Sequence, residues 1–230
     1  MPNLKSGSEA VITVVIDQMG MNENYIVGEN DMKEPRGILR YNLAGHAQSE
    51  VSWKLTGNYQ GEDYPDKVRG PLNEGGLYAE RQGYHLPGAP IGDWQSSGGP
   101  TEGLSTAGVA FYAAEIDLDI PAGWDVPLSF TFTNASSADS ASAYRVQLYV
   151  NGWQFGKYVH NIGPQDSYPV PQGIWDYSGT NYIAFALWSL EAGGAKVEGL
   201  ELSVNATILS GYGDVPMSPM SSWSEREGAY

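Results

Sequence analysis

Apolar positions in this chain recur at a spacing of two. Across Tyr144–Val150, the side chains of Tyr144, Val146, Leu148 and Val150 alternate with Arg145, Gln147 and Tyr149. One face is therefore apolar and the other polar or aromatic, the signature of a strand. Asn151-Gly152 follows at once. This dipeptide tolerates the two positive φ angles of a type I′ turn and predicts a tight hairpin. The β-branched run Val11-Ile12-Thr13-Val14-Val15-Ile16 is too short for an ordinary helix and also reads as a strand. Gly37–Leu43, Val51–Leu55, Gly108–Leu118, Leu128–Thr133, Gln154–Val159, Tyr182–Leu190 and Val197–Ile208 carry the same signal. No stretch beyond about two turns keeps a helical apolar period, so helices are expected to be few. Short strands separated by Gly/Pro turns predict an all-β fold, a β-sandwich of the jelly-roll kind.

Three segments break this rhythm. Gly57–Pro90 is a long polar connection holding Glu62, Asp63, Asp66, Lys67, Arg69, Glu74, Glu80, Arg81 and His85. A connection of that length inside a domain is usually functional or part of an interface. Ser136–Ala143 is a loop tip of small residues, and Gly211–Tyr230 is a Pro/Ser/Met-rich tail expected to pack on the domain. There is no internal repeat.

Composition then removes whole classes of function. The chain has 230 residues, 27 acidic and 12 basic, with a formal net charge of −15. Aromatics at 12% against charged residues at 17% mark a globular chain rather than a disordered acidic one. An autonomous (β/α)₈ barrel needs about 250 residues and long amphipathic helices. A polyanionic protein is a poor partner for nucleic acid. The longest apolar run, Ala10–Ile16, is far shorter than the roughly 20 residues of a membrane span. With no cysteine, disulfides, thiolate nucleophiles and Cys-ligated metals are all excluded. No apolar signal segment precedes Ala10. If Met1 is the native start, the chain is expected in the cytoplasm. If it is a piece of a longer polypeptide, it is expected to be secreted, and the sequons at Asn134 and Asn205 favour that choice.

Longer motifs carry a family resemblance. Trp53–Asn58, Arg69–Gly83, Asp119–Phe130, Tyr144–Gly163 and the closing Glu227-Gly228-Ala229-Tyr230 are similar to the C-terminal region of fungal glycoside hydrolase family 35 β-galactosidases. The resemblance implies a galactose-binding-domain-like jelly roll over residues 36–210. Residues 1–35 resemble the end of a preceding jelly roll plus a linker, and 211–230 form a tail. It also implies that the family's two catalytic glutamates lie on a separate barrel, since no Glu here matches the barrel's motifs. An accessory role follows, structural or carbohydrate-binding, with a catalytic barrel or a second copy of the chain as partner.

The residues leave other chemistry open. Retaining glycoside hydrolysis needs two carboxyls about 5–5.5 Å apart. The acids of the long loop are the one dense group, and pairing with Lys67, Arg69 and Arg81 is the simplest use for them. Were the chain an enzyme, Glu74, Glu80, Arg81, Tyr84 and His85 are its candidate catalytic residues. It would then be a cyclase or isomerase acting on a hydrophobic small molecule by shape, acid and base. His46, His85 and His160 are scattered without ligand spacing, so no metal is expected and their simplest use is surface or loop hydrogen bonding. No cofactor fingerprint is present. Sugars stack on indoles, which makes Trp94, Trp124, Trp153 and Trp175 candidate ligand contacts, with Arg69 beside them; Trp53 and Trp188 fall inside strands and read as core.

Overall fold

A strand lasts only where its backbone finds a ladder partner. The computed structural model describes residues 7, 9–12, 14, 16, 26–29, 37–54, 78–95, 98–133, 142–213 and 215–225. The chain divides into two units, Met1–Thr56 and Gly57–Tyr230.

The described strands all belong to the second unit. They are β1 (Gly108–Asp117), β2 (Trp124–Asp125), β3 (Leu128–Phe132), β4 (Tyr144–Val150), β5 (Trp153–Val159), β6 (Ser167–Val170), β7 (Thr180–Ser189), β8 (Leu200–Val204) and β9 (Ile208–Leu209). Among the described residues of that unit, helix is limited to the single turn α1 (Tyr78–Arg81) and a 3₁₀ turn at Ile91–Asp93. β1-β7-β4-β5 form a four-stranded antiparallel sheet, β6-β3-β8 a three-stranded one, and β2-β9 a two-residue ribbon. Leu128, Phe130 and Phe132 of β3, Val146 and Leu148 of β4, Tyr168 and Val170 of β6, and Phe185 and Leu187 of β7 meet in one buried cluster. The core thus lies between the two sheets, the arrangement of a β-sandwich.

The predicted hairpin is in place. Arg145 pairs with Val159 and Val150 with Trp153, with one bulge between Leu148 and Tyr149. Asn151 and Gly152 have φ of 48° and 83°, as a type I′ turn requires. Gly156 on β5 lets the Tyr168 ring lie close, since a Cβ there would strike it.

Two departures from the sequence pattern have local reasons. β6 contains Pro169, which cannot donate to a ladder and is tolerated because β6 is an edge. Val197–Ile208 is not one strand: it splits into β8 and β9, because Asn205 donates its N–H to the Pro127 carbonyl in register with the Leu128–Val204 pair but Pro127 has no N–H to return.

Within the first unit, the described residues of Val11–Ile16, Gly37–Leu43 and Val51–Leu55 form no strand, contrary to the sequence expectation. Val11, Ile12, Val14 and Ile16 are all exposed, Val11 at 88%. Their β propensity is unfulfilled because no ladder partner meets them among the described residues. A 3₁₀ turn spans Gln48–Glu50, and Tyr41 meets the Trp53 ring edge-on at 5.1 Å. Trp53, expected in a core, is exposed.

Candidate functional site

Four of the sequence-nominated residues come together on the second face of the four-stranded sheet. The segment beginning at α1 lies over Tyr149 of β4, Tyr182 and Ala184 of β7, and Phe111 and Ala113 of β1. Glu80 leaves the helical turn with 0% exposure, and its Oε1 accepts a hydrogen bond from the Tyr149 hydroxyl. Gln147 Oε1 lies 3.4 Å from the same hydroxyl. The His85 ring, 1% exposed, sits 5.3 Å from the Tyr149 ring. Tyr182 donates its hydroxyl hydrogen to the Tyr84 carbonyl at 2.7 Å. Trp94 is wedged edge-on between Tyr84, at 5.1 Å, and Phe111, at 6.0 Å.

The tail closes this layer. Trp223 donates its indole N–H to the Gln82 carbonyl at 3.0 Å and its backbone N–H to the Pro87 carbonyl at 2.8 Å. Tyr149 and Trp223 were missed by the sequence reasoning. Tyr149 had one available signal: it stands with Gln147 on the face of β4 that is polar or aromatic, and a large ring there implies something covering it. Trp223 had none, because its partner lies 141 residues away.

Acid–base chemistry requires that a substrate or water reach the proton-carrying atoms. Glu80 and His85 are shut beneath packed side chains, so the arrangement works as an anchor for residues 78–95. Arg81 is in α1, but its side chain lies outside the described residues, as do Glu62, Asp63, Asp66, Lys67, Arg69, Glu74 and Asn134.

The other nominated residues are dispersed. Trp175 follows a turn, yet its ring is 0% exposed in the core beside Phe130, with centroids 5.6 Å apart. It offers no face to a sugar in this fold. Trp153 is half-buried against the same core. Trp124, on the β2-β9 ribbon opposite Leu209, is 37% exposed and does offer a face. Asn205 donates from Nδ2 to the Ser129 hydroxyl at 2.5 Å.

His160 is not at the surface, as its loop context suggested. It lies flat on Tyr144, with centroids 4.4 Å apart, and its Nδ1 is 2.7 Å from the Tyr158 hydroxyl. Burial holds its pKa below the ordinary value, against an opposing pull from the Glu198 charge. Burial also pushes the Tyr158 phenol up to about 12. The trio is therefore neutral, a polar insert in the core. Among the described residues, no group of three or more His, Asp or Glu side chains is placed to hold a metal ion, and no helix is long and apolar enough to cross a membrane.

Residues 78–193 match the family model described as the β-galactosidase second all-beta domain. The chain belongs to that family. The match begins at the first residue of α1, so the anchored segment is part of the second all-β domain rather than a linker to it. The chain is 56% identical over 230 residues to β-galactosidase A of Aspergillus oryzae and to that of Aspergillus niger. It is 56% identical over 232 residues to the probable β-galactosidase A of Emericella nidulans. Each alignment covers 100% of this chain and 22 to 23% of the relative, so the chain spans about a fifth of the length of the curated relatives it matches. The resemblance read from the motifs is thereby established, and so is the all-β sandwich. The cyclase or isomerase reading finds no support: of its candidates Glu74, Glu80, Arg81, Tyr84 and His85, the three whose side chains are described, Glu80, Tyr84 and His85, are spent in packing the second all-β domain.

Proposed function

We propose that the chain is an accessory β-domain of a β-galactosidase that acts as structural support for the catalytic barrel and performs no hydrolysis by itself. One observation carries the reading: in a chain of this family, the nominated acid Glu80 and base His85 are 0% and 1% exposed, packed into the layer that residues 78–95 and Trp223 form on the sheet. The bond from the Tyr149 hydroxyl to Glu80 and the packing of the His85 ring against Tyr149 fix a layer of chain on the sheet, which suits a domain whose work is shape. The test is turnover of a chromogenic galactoside by the purified 230-residue chain. None is expected. Turnover that disappears in Glu74→Gln or Glu80→Gln would overturn the proposal.

A second reading, direct contact with carbohydrate, rests on Trp124. Of the four tryptophans nominated as ligand contacts, it is the most exposed, Trp94 and Trp153 being half-buried and Trp175 buried. Galactose or galactan titrated against tryptophan fluorescence should then give a saturable change that Trp124→Ala abolishes. A flat titration removes this reading and leaves the structural one intact.

A further inference from the structure

Asn151-Gly152 is the one Asn-Gly pair in the sequence. Asparagine before glycine is the pairing most prone to deamidation, because glycine leaves the next amide nitrogen unhindered. In that reaction the Gly152 nitrogen would attack Asn151 Cγ and lose its proton. The C–N bond closes a succinimide ring, and Nδ2 departs as ammonia. Water then opens the ring at either carbonyl to give aspartate or isoaspartate. The balance is one water consumed and one ammonia released, with no oxidant or reductant.

The folded chain holds Asn151 away from this route. Its side chain is 2% exposed. Nδ2 donates to the Ile174 carbonyl at 2.6 Å and to Asn181 Oδ1 at 2.8 Å, and Oδ1 accepts the Tyr182 N–H at 2.8 Å. Ring closure requires the side chain to swing back over its own following peptide, which breaks all three bonds together. Ammonia release and hydrolysis also need water that the buried site excludes.

We propose that Asn151 is a modification site masked by the fold, silent in the native domain and converted to aspartate or isoaspartate when the β4-β5 hairpin opens. Deamidation then makes unfolding irreversible. An aspartate at 151 would aim a buried carboxylate at two acceptors, the Ile174 carbonyl and Asn181 Oδ1. Asn181 is not free to flip and supply a donor. Its Nδ2 donates to the Asp176 and Gly179 carbonyls, while its Oδ1 accepts the Asp176 N–H. An isoaspartate would add a backbone methylene inside a two-residue turn and disturb the Val150–Trp153 pairing.

The test uses the 230-residue chain in mildly alkaline buffer, with and without unfolding urea. Trypsin cuts after Arg145 and Lys157 and releases the peptide that carries the pair. Mass spectrometry with isoaspartate detection then reads the modified fraction. Modification is expected to run at least about tenfold faster in urea, since it must await local opening in the native state. The fraction able to refold should fall in step. A smaller ratio, or modified chains that refold to the native urea midpoint, would overturn the proposal. Asn151→Asp gives a second arm: it is expected to unfold at lower urea or to fail to fold. An unchanged midpoint would overturn the claim that the product is excluded.

Discussion

Removing one oxygen from Tyr149 tests whether the buried anchor contributes stability. Tyr149 and Glu80 are each 0% exposed, so water cannot replace the hydroxyl that Tyr149→Phe deletes. The lost interaction is a hydrogen bond to a carboxylate, which contributes about 1.5–3 kcal/mol. In a Glu80→Gln background the same deletion removes a bond between neutral groups, about 0.5–1.5 kcal/mol. The two costs should therefore differ by about 1 kcal/mol, the coupling that a double-mutant cycle isolates. Urea unfolding followed by tryptophan fluorescence is suitable, because every tryptophan except Trp53 lies in the second unit. With a slope of about 1–3 kcal/mol per molar urea, Tyr149→Phe should lower the midpoint by roughly 1 M. A cost within about 0.5 kcal/mol of zero, or equal costs in both backgrounds, would refute the anchor.

Other outcomes follow from the same structure. Because burial depresses the His160 pKa, the unfolded chain takes up the proton first, so stability is full above pH 6.5 and falls as pH drops below it. It levels off once the folded form also titrates, and His160→Gln should flatten this part of a plot of urea midpoint against pH. Gly156→Ala should cost about 1–3 kcal/mol by overpacking, since the new methyl strikes the Tyr168 ring. Calorimetric melting should show this as a lowered Tm. Trp223→Ala should cost about 1–3 kcal/mol locally and raise hydrogen exchange at residues 82–94, leaving exchange in β4 and β7 unchanged.

The sandwich was legible where two conditions coincided: a clean alternation and a local turn. β4, Asn151-Gly152 and β5 meet both, and their bounds agree with the pattern to within a residue. β-Branching alone was insufficient for Val11–Ile16, whose side chains specify a strand but not the partner that would hydrogen-bond it. β6 was hidden by Pro169, which argues against a central strand and is harmless at an edge. In the candidate site, Tyr84, His85 and Trp94 were found together because they are neighbours in sequence. What the group does was not legible. Its meaning depends on Tyr149 and Tyr182, 69 and 98 residues from their partners, and residue types alone do not distinguish a reactive carboxylate from one buried under a phenol. Trp175 shows the converse: its context is a turn, but its ring faces inward onto Phe130.

Pro169 also bears on how this domain shares space with other β-proteins. Tyr168 and Val170 face the core on either side of it, leaving the ring exposed on the outermost strand of the three-stranded sheet. A stray strand that approaches along β6 finds no amide hydrogen at that residue, so a continuous ladder cannot be copied past it. Such a stop matters most where local concentration is highest, as among sheets tethered in one polypeptide. The residue that made β6 hard to read is thus the one that keeps this edge of the sheet from recruiting its neighbours.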